Sequence, residues 1–266
     1  MSVDRKQIGN TGEYVSAVGL GTWSIRDYER AFETLVYALT HGIDNVDTAE
    51  MYGNGEAERF VGRVIGEVGR DNVFLTTKML PSHLASKDEV LRAARSSLKR
   101  LNVDYVDLFL IHWPNDAIPI EVQVRNFEVV YLKGYARYIG VSNFSVEELD
   151  MALSSTRKAD IVANQVHYSV LNKRVEMDLL PYCVKRGVTV QAYSPLERGR
   201  VRYNHLLERV GTRYGKSPVQ VALNYLISHP RVVAIVKTED LDHLIEILGS
   251  LGWRLKPDDV KLLREL

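Results

Sequence analysis

Four side chains in the first half of the chain, Asp47, Tyr52, Lys78 and His112, make a set that can move a proton. A tyrosine is a weak acid at neutral pH. A lysine beside it favours the phenolate and so lowers its pKa, and an aspartate paired with that lysine holds the cation in place. A histidine can orient a carbonyl oxygen against the tyrosine hydroxyl and stabilise the charge that develops there. Such a set protonates an alkoxide as it forms. Trp23 and Trp113, with Tyr52 and His112, would wall a substrate pocket with aromatic rings. Taken singly, each member of the set has a duller role: Asp47 as a cap for a helix beginning near Glu56, Tyr52 as a packing aromatic, Lys78 as a solvated lysine, His112 as a satisfied histidine behind an apolar strand. The chemistry depends on whether the fold brings them together.

Each of the four falls at or just past the end of a different short apolar run, or in the loop after one. These runs, at 17–20, 43–46, 73–77, 106–111, 138–141, 161–164, 189–192 and 232–236, alternate with segments of helical periodicity such as 28–40, 57–67, 88–101, 146–153 and 218–227. Strands alternating with helices predict a parallel sheet with crossover connections. Eight units within roughly 250 residues predict a (β/α)8 barrel, an α/β fold whose active sites form where the strands end. On that plan Asp47, Lys78 and His112 leave three consecutive strands onto one rim, and Tyr52 sits in the loop after the first. A hairpin with strands at 6–8 and 13–15, turned by Gly9-Asn10-Thr11-Gly12, precedes the barrel, and Pro257-Asp258-Asp259 opens a short terminal helix. The competing doubly wound fold needs G-x-G-x-x-G after an early strand. Gly19-Leu20-Gly21 is followed by Ser24 where the third glycine belongs.

Composition bounds the rest. No linker-like stretch divides residues 1–266, which read as one domain. Thirty-four basic residues balance thirty-four acidic ones, which gives no footprint for nucleic acid or an anionic membrane. The start carries no apolar leader, no run approaches the ~18 residues of a membrane helix, and the one cysteine, Cys183, reads as a small buried hydrophobe. A cytoplasmic protein, monomeric and acting on small molecules, is expected. There is no P-loop, no H-E-x-x-H and no paired C-x-x-C, so no metal site is expected. Arg198, Arg200 and Arg202 read as a solvated loop.

Asp47-Thr48-Ala49-Glu50-Met51-Tyr52-Gly53 resembles the D-x-A-x-x-Y-G signature of the aldo-keto reductases. Thr76-Thr77-Lys78 and Leu110-Ile111-His112-Trp113-Pro114 are similar to that family's lysine and histidine strand ends. Ile139-Gly140-Val141-Ser142-Asn143-Phe144 and Gln191-Ala192-Tyr193-Ser194-Pro195-Leu196 match further motifs in the same order. The resemblance spans nearly the whole chain. It implies reversible NAD(P)H-dependent reduction of aldehydes and ketones, with the cofactor extended across the barrel mouth. By carry-over, Ser142, Asn143 and Gln165 would hold the carboxamide and Tyr193 would stack on the nicotinamide. Ser194 and Leu196 would line the pyrophosphate, and Gly21, Thr22 and Trp23, with Asp47, would flank the ribose. At the far end Lys237 and Thr238 fit positions for a 2′-phosphate and Glu246 one for adenine, which favours NADPH. His243 stands where arginine is usual and Ile247 where asparagine is usual, and an imidazole cannot make the bidentate fork of a guanidinium. NADH is therefore expected to serve as well. Two other readings use the same barrel: a cofactor-binding regulatory or structural protein, and a redox-independent hydrolase or isomerase with Asp47 or Glu50 as base.

Overall fold

A computed structural model describes residues 4–266. Met1, Ser2 and Val3, which the sequence reading includes in its 1–266 domain, lie outside the described residues. Strands β1 (Arg5–Gln7) and β2 (Tyr14–Ser16) form the antiparallel hairpin. Eight parallel strands then close on themselves: β3 (Val18–Gly21), β4 (Asn45–Asp47), β5 (Phe74–Met79), β6 (Val106–Ile111), β7 (Ala136–Ser142), β8 (Ile161–His167), β9 (Thr189–Tyr193) and β10 (Val232–Val236), which pairs back onto β3. The ring of helices comprises α1 (Tyr28–Thr40), α2 (Glu56–Val68), α3 (Lys87–Leu101), α4 (Ile120–Phe127), α5 (Val129–Leu132), α6 (Val146–Ser155), α7 (Leu179–Arg186), α8 (His205–Thr212), α9 (Pro218–Ser228), α10 (Leu241–Leu248) and α11 (Pro257–Leu263). This is the (β/α)8 barrel with N-terminal hairpin and short terminal helix that the spacing predicts. Among the described residues no helix is long and apolar enough to cross a membrane.

Strand alternation sorts the core into two layers. One face of each strand packs outward against the helices, as Val46, Leu75, Phe109, Val190 and Ala234 do. The inner face fills the barrel, and there Phe74, Leu108, Leu110, Val233 and Ile235 meet Ile8 and Val15 of the hairpin. Both hairpin residues are fully buried. The hairpin is thus a plug for the end of the barrel opposite the strand C-termini, and each of these two side chains contributes roughly 1.5–3 kcal/mol by leaving water.

The helix starts follow local chemistry. Ser145 and Glu148 make a reciprocal capping box on α6, and Ser217 with Gln220 does the same on α9, where Pro218 takes the first helical position. The eight-residue helices α4, α7, α8 and α10 are absent from the periodic segments singled out above, because two turns carry too few apolar repeats to stand out.

Candidate active site

Strands β4 and β5 run further than the apolar pattern suggests, and this extension places the chemistry. Asp47 is the last residue of β4 and Lys78 the fifth of the six in β5. Both are therefore held by ladder hydrogen bonds rather than by a loop. Alternation points Asp47 to the same side as Asn45, into the barrel. Tyr52 opens a single turn whose next three residues, Gly53, Asn54 and Gly55, all have positive φ (56°, 54° and 86°). Only glycine and asparagine take that conformation readily, so the G-N-G run reverses the chain at once and lets α2 begin at Glu56. The reversal leaves the Tyr52 ring against the rim, where it is buried.

The Lys78 ammonium, fully buried, makes three hydrogen bonds: to Asp47 Oδ1 at 2.6 Å, to the Thr48 carbonyl at 2.9 Å and to Tyr52 Oη at 3.0 Å. Three acceptors saturate an ammonium. Asp47 Oδ2 accepts from Gln165 Nε2 at 2.8 Å, and the same amide nitrogen donates to Gln191 Oε1 at 2.9 Å. A continuous chain Gln191–Gln165–Asp47–Lys78–Tyr52 thus crosses the barrel mouth. The sequence motif containing Gln191 gave no reason to single it out, and its signal was only that a polar residue sits at an inward strand position.

The charges act on one another in a definite order. Burial is the largest influence on Tyr52 and pushes its phenol above the ordinary value of 10.0; Lys78 pulls it down and Asp47 adds a smaller upward push. This corrects the sequence-based expectation. Lys78 does favour the phenolate, but removal from water outweighs it, and the phenol keeps its proton at neutral pH. Burial alone would lower Lys78, yet Asp47 and Tyr52 outweigh it and hold the ammonium above 10.5. For His112, burial and then the Lys78 charge act in one direction, bringing the imidazole down to about 3. His112 is neutral at pH 7, and its buried Nδ1 has no partner among the described residues. A bare lone pair costs less there than an orphaned N–H, which puts the ring proton on Nε2.

The aromatic walls surround this centre. Trp23, 51% exposed, meets Tyr52 edge-on with ring centroids 4.9 Å apart; His112 lies 5.8 Å from Tyr52 and 4.6 Å from Trp113.

Next along the rim is an amide-rich ridge. A register shift between β7 and β8 falls at Gly140, where a Cβ would come within 2.7 Å of the Ala163 carbonyl. The shift delivers Ser142 and Asn143, the latter in left-handed backbone at φ 62°. Ser142 Oγ donates to the Gln165 carbonyl at 2.8 Å, Asn143 Nδ2 donates to the His112 carbonyl at 3.0 Å, and Tyr193 Oη donates to Asn143 Oδ1 at 3.0 Å. Gln165 Nε2 donates to both of its partners, and its Oε1 accepts nothing from the described residues. The half-exposed Tyr193 ring carries His167 stacked on one face, centroids 5.6 Å apart. Glu197 Oε1 fixes His167 through a 2.8 Å contact with Nε2 and also accepts from Ser169 Oγ. Exposed Asn143 and buried Ser142 and Gln165 beside the half-exposed Tyr193 ring offer donors and acceptors that fit a planar carboxamide-bearing ring.

The remaining sequence-predicted residues spread around the same mouth. Gly21 ends β3 beside Asp47, and the Thr22 backbone amide and hydroxyl both donate to the Asp47 carbonyl, at 3.0 and 3.1 Å. Ser194 has left-handed backbone at φ 53° and Leu196 is half-buried in the turn behind it. Lys237, Thr238, His243 and Glu246 lie on the loop after β10 and on α10, next to the start of α1. Glu246 pairs with Arg202, so at least one of the three alternating arginines is tied to α10 rather than free in solvent. Among the described residues no group of three or more His, Cys, Asp or Glu is placed to hold a metal ion.

The family profile described as "Aldo/keto reductase family" matches residues 17–266. The chain belongs to that family. Among curated relatives, Aldo-keto reductase YhdN of Bacillus subtilis is 32% identical, covering 96% of this chain and 90% of its own length. Methylglyoxal reductase YeaE of Escherichia coli is 33% identical, covering 98% and 94%. Among solved structures, the thermostable aldo-keto reductase Tm1743, in complex with the inhibitor epalrestat, superposes with a TM-score of 0.93 at 40% identity over 98% of this chain and 99% of that one. An aldo/keto reductase from Klebsiella pneumoniae, in complex with NADP and acetate, gives 0.90 at 33% identity over 99% and 95%.

Proposed function

We propose that this protein reduces small aldehydes and ketones to alcohols, reversibly, with NADPH as the preferred cofactor and NADH also accepted. The observation that carries the reading is Lys78, which binds Asp47, Thr48 and Tyr52 at once inside the barrel mouth. Family membership, the methylglyoxal reductase relative and the NADP-bound structural neighbour support it. A reduced nicotinamide, when bound, supplies the hydride. Ser142, Asn143 and Gln165 would hold its carboxamide, Tyr193 would lie against its ring, Gly21, Thr22 and Trp23 would flank its ribose side, Ser194 and Leu196 its pyrophosphate, and Lys237, Thr238, His243 and Glu246 its adenosine end.

The protein's own part is proton delivery. Tyr52, kept protonated by burial, donates to the substrate oxygen as negative charge grows there. Lys78, saturated by three acceptors and fixed by Asp47, stabilises the phenolate left behind. Neutral His112 offers Nε2–H to the same oxygen and so orients it. Trp23 and Trp113 exclude water from one side of the substrate. The Gln191–Gln165–Asp47 chain keeps the carboxylate oriented without supplying a second positive charge.

We also read the chain as one domain acting as a cytoplasmic monomer. A single unfolding transition and a monomer mass in solution would agree with this. The functional test is loss of absorbance at 340 nm with NADPH and then NADH against a panel that includes methylglyoxal. Turnover with both cofactors supports the proposal. Absence of turnover together with absence of cofactor binding would leave the hydrolase or isomerase reading with Asp47 or Glu50 as base, and binding without turnover across the panel would favour the regulatory one.

A further inference from the structure

The residues assigned above to the cofactor's far end already have partners within the chain. Lys237 forms an ion pair with Glu239. The Thr238 hydroxyl donates to the Asp240 carbonyl and accepts from the Asp240 amide, both at 3.1 Å. The His243 amide, which could face an anion at the start of α10, donates instead to Asp240 Oδ1 at 2.9 Å, and Asp240 is itself paired with Arg30. Glu239 is the most firmly held of these groups. Its two oxygens accept the backbone amides of Arg26 at 3.0 Å and Asp27 at 3.1 Å, and its side chain is only 15% exposed. Burial works against its charge, but Lys237 and the two amides outweigh it and keep the carboxyl below its usual value.

We propose that Glu239 limits how strongly this chain prefers NADPH over NADH, by competing with the 2′-phosphate for the Lys237 ammonium. The proposal rests on the cofactor reading given above. A 2′-phosphate brings about −1.5 to −2 charge to this end. A phosphate that reaches Lys237 meets a carboxylate already on the ammonium and held there by two main-chain donors from the loop before α1. The phosphate is then left beside that like charge. The unphosphorylated ribose meets no such conflict: its hydroxyls are donors, and a fixed carboxylate is an acceptor for them. Glu239 also ties the loop that carries Trp23 to the loop that carries Lys237, so this adjustment is made where the substrate wall and the cofactor end meet.

The test is dinucleotide binding by quenching of tryptophan fluorescence, without substrate, for the wild type, Glu239→Gln, Lys237→Met and the double variant. Glutamine removes the charge and keeps an acceptor for one of the Arg26 and Asp27 amides, its NH2 facing the other, so the readout is the NADPH-to-NADH ratio rather than either affinity alone. Glu239→Gln should bind NADPH about three- to tenfold more tightly and change NADH by less than about twofold. Lys237→Met should weaken NADPH selectively, and adding Glu239→Gln to it should restore much less than the gain seen with Lys237 present. An NADPH-to-NADH ratio unchanged by Glu239→Gln, or both affinities moving together, would overturn the proposal and make Glu239 a loop brace only. Wild-type protein that binds neither dinucleotide would instead overturn the cofactor reading beneath it.

Discussion

Lys78 and Asp47 form a buried ion pair at 2.6 Å, with Lys78 0% and Asp47 3% exposed. Their removal singly and together gives the sharpest test of the site's physics. In Lys78→Met the Asp47 Oδ1 loses the one partner it has among the described residues, and the carboxylate keeps the hydrogen bond from Gln165. An unpaired buried charge of this kind costs about 3–5 kcal/mol. That is a large fraction of the roughly 5–15 kcal/mol that holds a domain folded, and corresponds to a drop in Tm of ~5–9 °C for a chain of this length. In Asp47→Asn the ammonium retains two neutral acceptors, the Thr48 carbonyl and Tyr52, so the loss should be smaller, about 1.5–3 kcal/mol. The double variant leaves neither charge behind. It should cost markedly less than the sum of the two, with a coupling of about 2–4 kcal/mol.

Urea unfolding followed by far-ultraviolet circular dichroism at pH 7.5 supplies all four corners of this cycle. Additivity within about 0.5 kcal/mol would refute the claim that the pair is desolvated and mutually dependent. Activity separates from stability in the same set, since all three variants should lose most turnover whatever their stability. A pH series adds a second check. Lys78 is held above 10.5 and Tyr52 above 10.0 in the folded chain, so the folded state retains both protons longer than the unfolded one does. Their stabilisation is complete below about pH 10 and is lost as pH rises beyond it, and Lys78→Met should show a shallower alkaline decline.

Three further outcomes are expected. Tyr52→Phe should lower kcat by about 10²–10⁴ while leaving the dinucleotide Kd within about twofold, measured by single-turnover kinetics and fluorescence titration; a rate near wild type would remove Tyr52 as the acid. His112, at about 3 folded against 6.5 unfolded, stays neutral, so the stability it allows is full above pH ~6.5 and falls as pH drops toward 3. His112→Gln should flatten that acid limb in urea midpoints, and nitrogen chemical shifts of the wild type should report the Nε2–H tautomer. Gly62→Ala on α2 would put a Cβ within 2.6 Å of the Leu101 carbonyl, where α2 and α3 pack, and should cost about 1–3 kcal/mol by calorimetry; an unchanged Tm would mean the two helices part without strain.

The sequence made the barrel legible because eight β-rich runs recur with helical segments between them, a period that tertiary packing reinforces rather than contradicts. The meeting of Asp47, Tyr52, Lys78 and His112 was legible for the same reason, since strand ends of a closed parallel sheet share one face. Finer features were not legible. Gln191 joins the site only through Gln165, and nothing in a local pattern reports a hydrogen bond between two strands. The acidic pair Glu239-Asp240 follows Lys237 with only Thr238 between, yet whether those carboxylates cap a helix, face solvent or occupy the lysine is decided by where the loop before α1 presents its amides. Arg202 read as solvated for a similar reason: its partner Glu246 lies 44 residues away, on another helix.

The direction of the Tyr52 shift bears on how the site works. A phenol already ionised at rest could not give its proton to a substrate, and Lys78 acting alone would drive Tyr52 toward that state. Burial prevents it, so the resting site holds a neutral phenol beside a fixed cation. The interaction between Lys78 and the phenol oxygen is weak while the oxygen is neutral and becomes strong only as the proton leaves. Because Asp47, Thr48 and Tyr52 already occupy the three donors, the ammonium need not reorient when that happens. In the proposed reaction Lys78 would therefore stabilise the state in which the proton is passing more than the state before it, which is the difference that accelerates a reaction. On this argument Lys78→Arg, although charge-conserving, should still fail: a planar guanidinium cannot direct three hydrogen bonds to Asp47, Thr48 and Tyr52 from one nitrogen at 2.6, 2.9 and 3.0 Å.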